Sequence, residues 1–336
     1  MSNFFSDEFL NSYQLPIGEW AESLINWMAV QLAWLWDIVI APVDFMLELV
    51  IDTVLLGVSW VFIVLAFVLI GWWRRGWKVG VGSGVGLVIC GLLGFDFWAE
   101  TMETLGMILV AVFICVLVGL PLGIASARSN HVWAVVRPTL DAMQTIHPFV
   151  YLLPIVFLFG TGRSPGVLAT MIFALPPLVR LTNLGIRGVP SDVVEAGKSF
   201  GSNKRQLLRE VQLPLARPSI MAGLNQTLML ALSMVVIVAL IAGPGLGRLI
   251  LRGVNTANIP LAVTAGLAVL ILAVVLDRIS TVSDDDVEPG IRTSLRRVFG
   301  VFFKRGNDVR VQARQEAQQL EPPADAAPAA AAVGRS

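Results

Sequence analysis

The chain has 336 residues, of which 56% are hydrophobic and 14% charged, where a soluble globular chain carries about 25% charged residues. That balance excludes an ordinary soluble domain and indicates a protein that resides in a membrane. Basic and acidic side chains are equal in number, 24 of each, so any electrostatic signal lies in their distribution along the chain.

The first 73 residues hold eight carboxylates and no Lys or Arg. A signal peptide needs a basic region ahead of its apolar stretch, and none is present. A segment without positive charge is readily translocated, which places this N-terminus outside the cytoplasm. Trp20, Trp27 and Trp34 recur every seven residues and so share one face of a helix. Tryptophan favours the headgroup level. Residues 1–49 are therefore expected to form an extracytoplasmic, amphipathic, Trp-rich region that lies on the membrane, packs on neighbouring helices, or does both.

Seven apolar runs approach the length of about 20 residues needed to cross a bilayer. They are Ile51–Trp73, Val79–Phe97, Thr104–Ala125, Thr145–Gly160, Gly166–Thr182, Ser219–Ala242 and Leu261–Ile279. The fourth and fifth carry Pro148, Pro154, Pro176 and Pro177, and span only where neighbouring helices satisfy the backbone groups that proline frees. In the second, the pairs Gly80/Gly84 and Gly82/Gly86 suit close helix contacts.

The loops Arg74–Lys78, Ala127–Arg137 and Ser191–Pro218 are basic, whereas Asp96–Glu103 is acidic. This alternation predicts an all-α integral membrane protein of about seven transmembrane helices, N-terminus outside and C-terminus in the cytoplasm. Arg248 and Arg252 are exceptions, because they fall in the last outside loop. The transmembrane domain is expected over 50–282, with a cytoplasmic loop at 185–217. The cytoplasmic tail, 283–336, is basic and then Ala/Pro-rich, a composition that builds no core and is expected to be disordered.

Few residues suggest chemistry. Cys90 and Cys115 lie in apolar runs, and His131 and His147 stand alone, so neither a disulfide framework nor a metal site is expected. No paired catalytic carboxylates or nucleophile–base arrangement points to an enzyme. Gly197-Lys198-Ser199 has the ending of a P-loop, but the first-glycine position is Asp192. A carboxylate there repels phosphates, and no strand precedes it. The surrounding segment has a different character. Asp192 and Glu195 have capping-box spacing, and Val193, Ala196, Phe200 and Leu207 supply an apolar face. Between Arg180 and Arg217 there are seven basic and three acidic residues, a net charge of +4. A loop this long is unusual as a mere connection. It suits a docking surface for a cytoplasmic partner, against the plainer alternative of inside-loop charge bias.

Glu195-Ala196-Gly197, then Gly201, then Val211-x-Leu213-Pro214 resembles the EAA loop of ABC importer permeases in every spacing. Gly197 replaces the third alanine and Val211 the isoleucine. Leu140–Thr145, Val150–Gly160, Ile172–Ile186 and Gln212–Ile237 narrow the resemblance to the ProW-type permeases of glycine betaine/proline betaine importers. The resemblance implies a type I importer permease fold in a prokaryotic inner or plasma membrane, with a second copy of the permease completing the translocation path. It also implies a separate cytoplasmic ATPase that binds the ATP, an extracytoplasmic substrate-binding protein, no cofactor in this chain and no nucleic acid. Glu195, Ala196, Gly197, Gly201, Val211, Leu213 and Pro214 are the ATPase-coupling residues it implies.

Polar groups within spans are candidates for a substrate pathway, because exposure to hydrocarbon is costly. They are Asn225, Gln226 and Thr227, with Asp141 and Gln144 ahead of the fourth span. Helix–helix hydrogen bonding is the alternative role. A trimethylammonium cargo would favour aromatic faces, which Phe149, Tyr151, Phe157, Phe159 and Phe173 could supply or simply use for packing. Choline or another osmolyte remains an alternative cargo. An ATP-independent transporter or channel is a further alternative, expected to show repeated halves or buried ionisable residues.

Overall fold

The computed structural model describes residues 16–239 and 243–280, so the tail expected at 283–336 and residues 1–15 lie outside the described residues. Regular structure among the described residues is helical throughout. Helix α1 (Ile17–Gln31) leads into α2 (Ala33–Leu47), which continues through a π-helical stretch, Glu48–Leu55. Then follow α3 (Trp60–Arg75), α4 (Trp77–Leu92), α5 (Phe97–Arg128), α6 (Asn130–Thr145), α7 (Pro148–Phe159) and α8 (Arg163–Arg187). After α9 (Ser191–Ser199), the short α10 (Lys204–Gln206) passes through a π-helical stretch, Leu207–Gln212, into α11 (Leu213–Ala239). The last helices are α12 (Leu246–Asn255) and α13 (Ile259–Ser280).

Helix α8 is central, packed against α5 on one face and α11 on another. The main core joins Leu105 and Ile108 of α5, Leu175 and Leu178 of α8, Leu228 of α11 and Leu272 of α13. Helices α3 and α4 pair with each other, and α4 also packs on α13. Gly80 and Gly84 face α3, where a Cβ on Gly84 would collide with Val68. Gly86 instead meets Ile271 and Val275 of α13, and Gly82 faces open space, so only part of the expected glycine seam forms.

Among the described residues, four helices are long and apolar enough to cross a membrane: Phe97–Arg128, Arg163–Arg187, Lys204–Ala239 and Ile259–Ser280. The number rises to six if each of two bent pairs counts as one span. The first expected span, Ile51–Trp73, contains one of these bends: Ala33–Leu55 and Trp60–Arg75 meet at 102°. The fourth, Thr145–Gly160, lies at the other, where α6 and α7 meet at 98°. The second is the 16-residue α4. The shared tryptophan face is divided as well. The helix breaks at Leu32, leaving Trp20 and Trp27 on α1 and Trp34 on α2.

Helix α8 runs without interruption through Pro176 and Pro177. Those prolines withhold two N–H groups from the preceding turn. On either side of the Ile172 and Phe173 carbonyls left without helical donors, neighbouring helices bond the backbone: the Thr227 hydroxyl donates to the Ala174 carbonyl at 2.8 Å and the Cys115 thiol to the Met171 carbonyl at 3.8 Å. Thr227→Val keeps the shape and deletes one donor. It is expected to cost about 1 kcal/mol, read as a lower unfolding temperature in detergent with unchanged helix content.

Candidate functional site

Between α8 and α11 the chain forms a helical hairpin whose geometry follows from local sequence. Pro190 is extended (φ −53°, ψ 134°), so α9 begins directly at Ser191. Asp192 therefore lies inside the first turn and no side chain caps this end, so the expected Asp192–Glu195 capping box does not form. A carboxylate there still complements the positive end of the helix. The capping box sits on the second arm. Asn203 Oδ1 accepts from the Gln206 N–H at 2.9 Å, and Gln206 Oε1 accepts from the Asn203 N–H at 3.0 Å.

At the tip, the Ser202 N–H donates to the Gly197 carbonyl (3.2 Å) and the Gly201 N–H to the Lys198 carbonyl (2.9 Å). These two bonds make a Schellman motif, with Gly201 as its left-handed residue; its φ is +80°. Leu207 and Leu208 are buried on the return arm. Leu208 packs with Ile186, Ala216 and Leu213, fastening the hairpin to the bundle. Gly197 lies against Leu207, where an added Cβ would approach Cδ1 to 2.8 Å.

All seven expected coupling residues thus fall on this hairpin or its root. Glu195, Ala196, Gly201 and Pro214 are exposed, and Gly197, Val211 and Leu213 are half-buried. Lys198, Lys204, Arg205 and Arg209 are exposed around them, and Phe200 at the tip is 81% exposed. Glu195 takes part in none of the ion pairs among the described residues. The result is a cationic projection with three exposed carboxylates, Asp192, Glu195 and Glu210, and one exposed aromatic ring. At its base Arg187 donates to Asn130 Oδ1 (2.8 Å) and to the Ser126 carbonyl (2.7 Å).

The expected pathway residues divide by environment. Thr227 is fully buried in its bond to α8, and Asn225 Oδ1 accepts from the Ser280 hydroxyl at 3.2 Å. Asp141 is exposed and ion-paired with Arg180. Gln226 and Gln144 are exposed. Gln226 lies on one outward stripe of α11 with Ala222, Met229, Ser233 and Val236.

At the opposite end of α8 is a polar cluster that the sequence reading did not identify. Helix α5 starts seven residues before the expected span at Thr104, and this extension buries Glu100 and Glu103. Glu103 pairs with Arg163, which also pairs with Asp52 at 2.8 Å. Glu100 pairs with Arg248 and accepts from the Gly245 N–H at 2.8 Å, while Thr104 Oγ1 accepts from the Leu246 N–H at 2.8 Å. A helix of α5 thus caps the N-terminus of α12. Arg248, an exception to the expected charge alternation, was the usable signal, since an arginine that breaks that pattern calls for a carboxylate partner. Beside this cluster Asp44, Glu48, Asp52, Arg163 and Ser164 line a cavity of about 440 Å³, with Ser164 hydrogen-bonded to Asp44.

A family model described as "Binding-protein-dependent transport system inner membrane component" matches residues 119–289, which include the whole hairpin. The glycine betaine/proline betaine transport system permease protein ProW of Escherichia coli (strain K12) is 47% identical over 266 residues, 79% of this chain and 74% of that one. Its counterpart in Salmonella typhimurium is 52% identical over 217 residues, 65% of this chain and 61% of that one, less than two thirds of its length. A solved inward-facing conformation of the MetNI methionine ABC transporter aligns with a TM-score of 0.48 at 19% identity, covering 56% of this chain and 93% of that one. The family-model match over 119–289 and the 47% identity to ProW of Escherichia coli, beside the helical bundle and the hairpin at 191–217, lead to one assignment: the chain belongs to the family of binding-protein-dependent transport system inner membrane components.

Proposed function

We propose that this chain is the permease subunit of an ATP-driven importer for a quaternary-ammonium compatible solute, glycine betaine or proline betaine. The observation that carries the coupling half of this reading is the hairpin. Its free Glu195, its fixed turn at Gly201 and its buried root at Leu208 form a body that a cytoplasmic ATPase can grip and move. The chain carries no P-loop of its own, so a separate subunit binds and hydrolyses ATP. The names of the two ProW relatives support the cargo class.

An extracytoplasmic binding protein delivers the solute in this scheme, with the N-terminus outside. The α11 stripe supports a second copy of the permease. Gln226 and Ser233 are exposed there, and polar groups facing hydrocarbon are costly. A second copy covers the stripe and places the path between the two, with Gln226 and Gln144 as its polar contacts. Phe149 and Phe157, exposed on α7, offer ring faces to a trimethylammonium group.

The test is uptake of labelled glycine betaine into liposomes containing this chain, its ATPase and its binding protein. Uptake is expected to require ATP and to resist excess choline and proline. Full competition by choline would assign a different or broader cargo, and uptake without ATP would overturn the importer.

A further inference from the structure

We infer that Arg180 of α8, with Arg137 and Asp141 of α6, holds the carboxylate of a zwitterionic solute inside the membrane domain, while the ring of Phe149 receives its trimethylammonium end. The choice of ligand rests on the function proposed above. Arg180 lies about 10 Å inside the Arg187 end of α8. Its guanidinium is half-buried and pairs with one oxygen of Asp141. Arg137 stands at the other oxygen, at 3.9 Å. The Arg137 and Asp141 side chains are 68% and 53% exposed. Charged groups exposed on a membrane domain are costly against hydrocarbon, which sets this surface against a water-filled path and not against lipid.

The charge balance favours an anion, because two guanidiniums share one carboxylate. Arginine has five N–H donors, and among the described residues Arg180 uses one of them, on Asp141 Oδ1. A ligand carboxylate suits the remaining donors and offsets the surplus positive charge. The cationic end finds Asp141 and an aromatic face. From Asp141 the exposed surface runs over Gln144 and Thr145 to the break between α6 and α7, one helical turn away, about 6 Å along the axis. There the rings of His147 and Phe149 stack, with centroids 5.3 Å apart and planes at 13°. Phe149 remains 44% exposed and offers its ring to a quaternary ammonium group. A site built for a carboxylate rejects solutes that lack one. Choline would leave the surplus guanidinium charge uncompensated and add its own, so the same arrangement selects against it.

The experiment is saturation-transfer NMR on the full chain in phosphatidylglycerol nanodiscs, which contain no choline lipid. The probes are glycine betaine, choline, and 3,3-dimethylbutanoate, in which carbon replaces the charged nitrogen. Saturation is expected to reach the methyl protons of glycine betaine, with the two singly charged probes at least about tenfold weaker in competition, as for loss of one charged partner. Arg180→Gln is expected to bring glycine betaine down to the level of choline and to leave choline no weaker, whereas Arg180→Lys keeps part of the preference. Phe149→Leu is expected to weaken both ammonium probes and spare 3,3-dimethylbutanoate. Equal loss of all probes in Arg180→Gln would show a structural role alone and overturn the site. An unchanged preference in that variant, or no transfer to glycine betaine in the parent, would overturn it as well. Failed ATP-driven uptake with these differences intact would overturn the importer and leave the site standing.

Discussion

Glu195→Lys and Gly201→Val are each expected to abolish ATP-driven uptake while leaving the affinity of the binding protein for its solute unchanged. The two act by different routes. Glu195 is exposed and outside every ion pair among the described residues, so its replacement alters the hairpin's outer surface and leaves the fold intact. In an already cationic projection, a lysine at 195 removes one of three exposed carboxylates, beside Asp192 and Glu210, and places a positive charge where a basic group on the ATPase would meet it. Gly201 acts through backbone. At φ +80°, a residue with a Cβ is disfavoured by about 1–2 kcal/mol, more for a β-branched side chain. A penalty near 1.4 kcal/mol displaces a conformational equilibrium about tenfold, enough to loosen the Schellman turn and release Phe200 from its fixed position. Gly201→Asn should retain more transport, because asparagine tolerates the left-handed region. Parental uptake by both Glu195→Lys and Gly201→Val would remove the hairpin from the coupling route.

Arg163→Ala is expected to produce the largest loss of stability. Its guanidinium serves two carboxylates, Asp52 and Glu103. Removing one partner of a buried ion pair costs about 3–5 kcal/mol. The Arg163 side chain is 33% exposed and that of Glu103 11%, so solvent screening favours the lower end, about 3 kcal/mol. The unfolding temperature in detergent should fall by about 5 °C or more. Adding Glu103→Gln to that variant should restore part of the loss, because a neutral amide is cheaper to bury than an unpaired carboxylate. A lone Arg163→Ala as stable as the parent would show that Asp52 and Glu103 are satisfied without it.

The sequence revealed the membrane class and the hairpin for the same reason: both are written in local pattern. Apolar length marks spans, and the Glu195-to-Pro214 spacing lies within one segment. What escaped was long-range or directional. The run from Ile51 to Trp73 stays apolar through a 102° bend, so hydropathy could not register it. Glu100 and Glu103 resembled solvated loop charges because their partners Arg248 and Arg163 lie 148 and 60 residues away. The helix start after Pro190 misled differently. Asp192 and Glu195 satisfy the capping spacing, but the backbone enters the helix before Asp192, and Asn203 with Gln206 takes that role on the other arm. Thr227 was a pathway candidate by polarity, and its hydroxyl instead donates to the Ala174 carbonyl of a neighbouring helix 53 residues away.

The unbroken course of α8 has a mechanical consequence. Its 25 residues extend about 37 Å at 1.5 Å per residue. The Arg163 ion pairs hold one end and the Arg187 hydrogen bonds hold the other, next to the hairpin. With the ion pairs as fulcrum, a tilt of about 5° sweeps the far end of this lever arm through about 3 Å, comparable to the helix shifts that switch packed assemblies. A substitution at the fulcrum would therefore alter how far the hairpin travels for a given force while leaving every residue of the hairpin untouched.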